Sequence, residues 1–275
     1  MRLAFIGSGV MGEAIIAAVL ERGLAQPADV TACDVVAQRR EHLSQTFGIA
    51  TTERAADAVS DAVSAADLVV LAVKPQEFPA VARDLRGRLA ANQTAVSIMA
   101  GVSLAALREG LGHEAIVRAM PNTPAQVGEG MTVWTATEAV SASAREDVRR
   151  VLGALGQELY AAEEKYVDMA TAVSGSGPGF VFLVMEAMID AAVHIGLRRE
   201  MATAMVLQTV LGSARYAQAS GRHLADLRNQ VTSPGGTTAE GLLALEEAGV
   251  RAAFTQAIIA AYERARQLGG AASTP

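Results

Sequence analysis

The chain begins with a glycine pattern that is typical of a dinucleotide-binding loop. Gly7, Gly9 and Gly12 follow a short apolar run, Leu3–Ile6, and precede a stretch with helical periodicity. In such a loop the first glycine permits a tight turn, the second lets the backbone approach a pyrophosphate, and the third lets the helix pack on the strand. The N–H groups at the helix start then bind the anion. The loop Gly7-Ser8-Gly9-Val10-Met11-Gly12 therefore predicts NAD(P)H binding, and a structural turn without a ligand is the alternative.

Asp34 bears on which form of the dinucleotide is bound. It lies at the end of the second apolar run, 22 positions after Gly12. An acidic residue there binds the ribose hydroxyls of NAD and repels the additional phosphate of NADP. Arg39 and Arg40 favour the opposite preference, because an arginine can bind that phosphate. Asp34 could also cap the next helix, so both NADPH and NADH remain candidates.

A second glycine-rich segment near the C-terminus has the composition of a carboxylate receptor. Gly235 and Gly236 leave backbone N–H groups uncovered, and the helix predicted to follow adds a partial positive charge at its N-terminus. Thr237 and Thr238 come next and could instead cap an ordinary helix start, which by spacing alone is the commoner case. Ser176, before Gly177 and Pro178, begins a similar segment, for which helix packing and ligand contact are equally good explanations.

Three polar residues lie where a ligand could contact them. Lys74, followed by Pro75, ends a predicted buried strand at the sheet edge where open α/β folds bind ligands, although a solvated loop lysine is the alternative. Asn122 lies in a proline-rich loop and could contact the nicotinamide or fix its own turn. Glu164 lies at the expected domain junction, where an exposed acid at a helix start is the default interpretation.

Composition narrows the class of protein. The net charge of −6 and the 4% aromatic content disfavour nucleic-acid binding. Cys33 is the only cysteine, which predicts a small buried side chain and a reducing, cytoplasmic location. The four histidines form no constellation, so no metal site is predicted.

The most apolar later stretch, from Gly179 to Leu197, bears on membrane insertion. It carries Glu186, Asp190 and His194. A helix that crosses a lipid bilayer is expected to avoid such residues. The stretch therefore predicts a buried helix of a soluble protein and no membrane partner.

The elements that must position these residues change character along the chain. Short apolar runs alternate with helical patterns in the first part, which predicts βαβ units and a parallel sheet. Helical periodicity alone follows. The sequence therefore predicts an α/β chain: a Rossmann-type parallel sheet domain over residues 1–161 and an all-α domain over 162–275. The low polarity of the helices predicts that part of their surface faces a second subunit. The predicted strands are Leu3–Ile6, Val30–Cys33, Leu68–Val73, Ala95–Met99, Ile116–Met120, Met131–Thr135 and Glu158–Tyr160.

Four motifs besides the N-terminal loop carry a family resemblance. They are Ala72-Val73-Lys74-Pro75, Arg118-Ala119-Met120-Pro121-Asn122-Thr123-Pro124, Ser174-Gly175-Ser176-Gly177-Pro178 and Thr232-Ser233-Pro234-Gly235-Gly236-Thr237-Thr238. In this order and spacing the chain resembles the pyrroline-5-carboxylate reductase family over nearly its whole length. The resemblance implies reduction of 1-pyrroline-5-carboxylate to L-proline by NADPH or NADH. It also implies a Rossmann domain, an all-α dimerisation domain, and a homodimer or an assembly of dimers.

The resemblance also implies roles for individual residues. The resemblance implies that the nucleotide is lined by Ala72, Val73, Lys74, Pro75, Ala100 and Gly101, and we place the N-terminal loop, Asp34 and Asn122 on the same side. It implies that the substrate is lined by Glu164, Ser233, Gly235, Gly236, Thr237 and Thr238, and we place Ser176 and Val231 on that side too. Thr238 is the hydroxyl that faces the ring nitrogen and is the expected catalytic residue.

Two other functions fit parts of the sequence. A 3-hydroxyacid dehydrogenase also joins a Rossmann domain to a helical one, but it uses a lysine in the first long helix of the second domain. The corresponding stretch, Val181–Gly196, contains no lysine. A non-catalytic NADP(H) sensor would need the N-terminal loop but not a carboxylate receptor at Gly235–Thr238.

Overall fold

A computed structural model describes residues 1–59 and 67–268. The tail Gly269–Pro275, whose small polar residues predict disorder, lies outside the described residues.

A β-sheet organises the first part of the chain. Its eight strands lie in the order β3-β2-β1-β4-β5-β6-β7-β8. Neighbouring strands are parallel except β6 and β7, which are antiparallel. The strands are β1 Leu3–Ile6, β2 Val30–Cys33, β3 Ala50–Thr52, β4 Leu68–Leu71, β5 Thr94–Ser97, β6 Ile116–Met120, β7 Gly130–Ala136 and β8 Gly156–Tyr160.

Helices cover both faces of the sheet because its inner strands are apolar on both sides. Leu3 and Phe5 belong to one buried cluster, whereas Ala4 and Ile6 belong to another on the opposite face. This alternation follows from the two-residue period of a strand. The helices of this part are α1 Val10–Glu21, α2 Ala37–Phe47, α3 Ala55–Ala58, α4 Phe78–Leu85, α5 Leu104–Leu111, α6 Ala142–Gly153 and α7 Lys165–Ala170.

The predicted strands are confirmed, with ends shifted by up to two residues. One strand, β3, was not predicted. It has three residues, two of them threonine, and it pairs only with β2 at the end of the sheet. Because none of its residues is buried, it lacks the apolar run by which the other strands are recognised.

Contacts divide the chain into two compact units. The first contains Met1–Ser176 and the segment that begins at Ala261, and the second contains Gly177–Ala260. The division at residue 161 remains a prediction. Helices beyond α7 are α8 Gly177–His194, α9 Arg199–Ser220, α10 Leu224–Gln230, α11 Thr237–Glu247 and α12 Val250–Leu268.

The expectation that the stretch from Gly179 to Leu197 is buried is wrong for the single chain. No residue of α8 is buried, and Phe182 and Leu183 are 59% and 64% exposed. By length and composition, the helical run Lys165–His194 could cross a membrane, which on its own is weak evidence. The sequence pattern indicates that a helix is apolar, but it does not indicate whether the same chain or another molecule covers the helix.

Candidate active site

Two glycines of the N-terminal loop are required by its shape. Gly7 has a φ of +87°, and a Cβ there would lie 2.7 Å from Val73 Cγ1 and 2.9 Å from the carbonyl of Ala72. A Cβ on Gly12 would lie 2.8 Å from the Gly7 carbonyl oxygen. The loop is therefore tightly packed: a side chain at Gly7 would clash with Ala72 and Val73 after β4, and a side chain at Gly12 would clash with the Gly7 carbonyl.

Gly9 is different, because the space beside it is open. It is exposed and precedes α1 in an extended conformation, and a Cβ on it would meet no described atom within 4 Å. The first N–H bonded back along the helix belongs to Glu13, which donates to the Gly9 carbonyl at 2.9 Å. No side chain caps this helix start. Bare N–H groups beside an open glycine fit the pyrophosphate of a dinucleotide.

Asp34 joins the loop to the turn after β2. Its carboxylate accepts hydrogen bonds from the backbone N–H of Ser8 at 3.1 Å, from the Ser8 hydroxyl at 2.8 Å and from the N–H of Val36 at 2.9 Å. Ser8 is fully buried. The carboxylate thus fixes the glycine loop and the β2–α2 turn at the same time.

Two arginines flank this turn. Arg39 donates from Nε to the Ser8 carbonyl at 3.1 Å and forms an ion pair with Glu13 at 2.6 Å. Arg40 donates to the carbonyl of Asp34 at 2.8 Å. Both guanidinium groups are therefore held beside Asp34. An acidic residue flanked by two arginines is compatible with either NADPH or NADH.

Glu13 connects α1 to α2 through two partners. Its carboxylate contacts Arg39 and, at 2.9 Å, His42 Nε2. Burial raises the pKa of Glu13, but the hydrogen bonds from His42 and Arg39 outweigh it, so the pKa lies below its usual value of 4.5.

The carboxyl ends of β1, β4 and β5 lie side by side, because these strands are neighbours and parallel. The glycine loop, the segment Ala72–Pro75 and the turn at Ala100–Gly101 therefore follow one another along the edge of the sheet formed by the carboxyl ends of its strands. Gly101 has a φ of +76° in that turn. Lys74 is exposed, and its backbone N–H donates to the Glu77 carboxylate at 3.1 Å.

Both polar atoms of the Asn122 side-chain amide form hydrogen bonds. Its nitrogen donates to the Ser174 carbonyl at 3.0 Å, and its oxygen accepts from the N–H of Met131 at 2.9 Å. Ser174 belongs to a π-helical turn, Thr171–Gly175, that continues α7. The Ser176 hydroxyl donates to the carbonyl of Thr171 at 3.1 Å, so it too has a partner within this turn.

Glu164 precedes α7 and binds a buried arginine. Arg118 lies on β6 with its side chain 3% exposed, and its Nη1 is 2.7 Å from Glu164 Oε1. Its Nη2 is 2.5 Å from Asp168 Oδ1. Sequence analysis missed Arg118 and Asp168. The available signal was the single charged residue in the run Ile116–Met120, since a buried guanidinium requires an acidic partner.

In the second unit, Gly235 and Gly236 shape the start of α11. Gly235 has a φ of +65°. Gly236 precedes the helix, and a Cβ on it would overlap the Ser233 side chain. No side chain caps this helix start, so threonine is not the cap that the alternative interpretation required. Ser233, Thr237, Thr238 and Val231 are exposed.

Comparisons with known proteins cover nearly the whole chain. Residues 164–268 match the model for pyrroline-5-carboxylate reductase dimerisation, and residues 2–101 match the model described as NADP oxidoreductase coenzyme F420-dependent. A pyrroline-5-carboxylate reductase of Pseudomonas aeruginosa is 41% identical over 97% of this chain and 96% of its own length. The chain belongs to the pyrroline-5-carboxylate reductase family. The resemblance inferred from the sequence motifs is confirmed.

Solved structures of pyrroline-5-carboxylate reductases agree with the fold. The protein from Coxiella burnetii is 34% identical with a TM-score of 0.88, and the match covers 97% of this chain and 98% of that one. The Plasmodium falciparum protein, solved with NADP bound, is 30% identical with a TM-score of 0.88 and 98% coverage of both chains. The predicted fold class, a Rossmann-type domain followed by an all-α dimerisation domain, is confirmed.

Membership of the pyrroline-5-carboxylate reductase family bears on the two alternative functions that the sequence left open. Neither the 3-hydroxyacid dehydrogenase nor the non-catalytic sensor is supported by these matches. The dimerisation match begins at Glu164 and includes the exposed helices of the second unit. The oxidoreductase match runs from the glycine loop through the turn at Gly101.

Proposed function

We propose that this chain is a pyrroline-5-carboxylate reductase, which transfers hydride from NADPH or NADH to 1-pyrroline-5-carboxylate and forms L-proline. The observation that carries the proposal is the relationship over nearly the full length to proteins of that name. The open backbone at Gly9 supports it independently, because a reductase of this kind must bind a pyrophosphate.

On the nucleotide side, three neighbouring segments hold the dinucleotide. The first turn of α1 binds the pyrophosphate, and Lys74 and the Ala100–Gly101 turn line the adjacent sheet edge. Asp34 and its flanking arginines lie at the adenosine ribose, and Asn122 holds the loop on the nicotinamide side. When bound, the reduced dinucleotide supplies the hydride.

On the substrate side, the chain must bind a carboxylate and orient a ring nitrogen. The uncapped N–H groups at the start of α11 bind the carboxylate, helped by the helix dipole. The Thr238 hydroxyl contacts the ring N–H, and Ser233 and Val231 line the same site. The cyclic imine is basic enough to be protonated near neutrality, so no proton relay is required. Orientation of the reactants can lower the barrier by roughly 7–11 kcal/mol.

The working form is a homodimer or an assembly of dimers. Exposed apolar side chains on α8 and α9, among them Phe182, Leu183 and Met205, support this assembly, as does the dimerisation match. The enzyme works in the cytoplasm. The buried Cys33 is compatible with that location, because burial raises its pKa to about 11 and keeps the thiol protonated.

The test compares substrates on the purified chain. Oxidation of NADPH and of NADH is followed by absorbance with 1-pyrroline-5-carboxylate, and reduction of NAD is followed with a 3-hydroxy acid. The proposal predicts rapid oxidation only with the cyclic imine. Turnover of the 3-hydroxy acid alone would contradict it.

A further inference from the structure

The Glu164 carboxylate connects three elements of the first unit. It stands immediately before α7, it pairs with Arg118 on β6, and the same oxygen accepts the backbone N–H of Leu104 at 2.8 Å. Leu104 is the first residue of α5. One acid, 60 positions away in sequence, therefore serves as an external cap for that helix.

Arg118 fixes this carboxylate in place. A buried guanidinium is stable only with acidic partners, and here it binds Glu164 and Asp168 through separate nitrogens. Its Nε is buried without a hydrogen-bond partner. The two ion pairs are therefore its only side-chain partners among the described residues, and Glu164 has little freedom to leave the start of α5.

The capped helix start lies next to the nucleotide segments. The turn at Ala100–Gly101 is followed within three residues by Leu104, and β5 is the neighbour of β4. Ser103 caps α5 through its own hydroxyl, which accepts from Ala106 at 3.2 Å. Ser103 caps the helix locally, whereas Glu164 connects the first N–H of the helix to α7 and, through Arg118, to β6.

We propose that Glu164, held by Arg118, positions the β5–α5 loop for dinucleotide binding. This assigns Glu164 a positioning role on the nucleotide side, whereas the family resemblance implies a role on the substrate side. The inference rests on the proposed place of the dinucleotide beside Ala100 and Gly101.

The sharpest test removes the donor and keeps the carboxylate. Leu104→Pro deletes the N–H at the first helical position, where proline is well tolerated. Ser103 already has a φ of −74° and a ψ of 159°, which suit a residue before proline. Leu104→Ala is the matched control, because it shortens the same side chain and keeps the N–H.

We expect Leu104→Pro to raise the NADPH Kd about tenfold over Leu104→Ala, since a hydrogen bond to a charged group is worth about that factor. Equal Kd values for the two variants would overturn the proposal.

A second set of variants tests the acid itself and keeps the proposal falsifiable if Leu104→Pro does not fold. Glu164→Ala should raise the NADPH Kd by a similar factor, and Glu164→Gln should restore much of the affinity, because its amide oxygen can still accept the Leu104 N–H. Asp168→Asn is the control, since Asp168 shares Arg118 but makes no bond to α5, and it should change Kd less than about twofold. An unchanged NADPH Kd in Glu164→Ala with a raised KM for the imine would return Glu164 to the substrate side.

The binding measurement separates this inference from the proposed function. NADPH affinity is measured by fluorescence without substrate, so a wild-type chain that binds NADPH but does not reduce the imine would refute only the proposed function.

Discussion

The three glycines of the N-terminal loop have different physical roles. Gly7 and Gly12 are required by the backbone, because a Cβ on either would lie within 2.8 Å of neighbouring atoms. Gly9 is required by nothing within the described chain. The spacing of the three residues predicted the loop, but only coordinates could separate glycines that shape it from the glycine that leaves room for a ligand.

This difference gives a prediction about Gly9. Gly9→Ala should raise the NADPH Kd about tenfold or more, because the new methyl group occupies the approach to the pyrophosphate. The free energy of unfolding should change by less than about 0.5 kcal/mol. Gly12→Ala is the contrasting variant and should lose about 1–3 kcal/mol through overpacking. Calorimetric titration and chemical denaturation measure the two quantities, and a Gly9→Ala protein with wild-type affinity would contradict this role.

The Thr238 hydroxyl, proposed to contact the ring nitrogen, gives a prediction about turnover. Thr238→Ala should lower kcat about 10- to 100-fold, the worth of one hydrogen bond to a charged group, while the NADPH Kd stays unchanged. Thr238→Ser keeps the hydroxyl and should retain most of the activity. Steady-state kinetics and dinucleotide titration measure these effects. Wild-type kinetics in Thr238→Ala would remove this hydroxyl from the mechanism.

At the scale of the elements, short runs that are mainly apolar were enough to predict all strands except β3. That strand is short, has two threonines among its three residues and lies at the end of the sheet, so it has no periodic signal. The Arg118 pairs were also missed, because the acids that neutralise it lie 46 and 50 positions away. Sequence spacing cannot identify partners that only the packing of α7 on β6 brings together.

The contact of Glu13 on α1 with α2 gives a prediction about how stability depends on pH. Since the pKa of Glu13 is lowered on folding, its contribution to stability is fully present above its unfolded value of about 4.5. That contribution is lost as the pH falls through the lower folded value. The difference in unfolding free energy between wild type and Glu13→Gln should therefore be constant near neutrality and shrink below about pH 4.5. Urea denaturation across pH 3–7 measures it, and a difference that grows on acidification would contradict the assignment.

At the scale of the whole molecule, the helices of the second unit leave much apolar surface uncovered. Only Ala202 and Val206 are buried in α9, and no residue is buried in α8, α10 or α11. The sequence predicted correctly that this part of the chain is all-α. It predicted both a buried helix at α8 and a helical surface that faces a second subunit, and it could not separate the two, because an apolar helix has the same pattern whether its own chain or a partner covers it.

The uncovered surface predicts a change of assembly. Leu183→Glu combined with Met205→Glu should convert the oligomer to monomer, because two charges would then be buried at the proposed interface at a cost of several kcal/mol. Val127→Glu is the control, since Val127 is exposed outside the dimerisation segment. Sedimentation equilibrium distinguishes the species. A wild-type chain that sediments as a compact monomer would refute the proposed assembly.

The most direct test of the account measures product and cofactor in the same reaction. The purified wild-type chain is supplied with NADPH and 1-pyrroline-5-carboxylate, and L-proline is quantified against the NADPH consumed. The account predicts formation of L-proline in equal amount to NADPH oxidised. Saturable NADPH binding with no L-proline formed would contradict it and would favour a non-catalytic sensor.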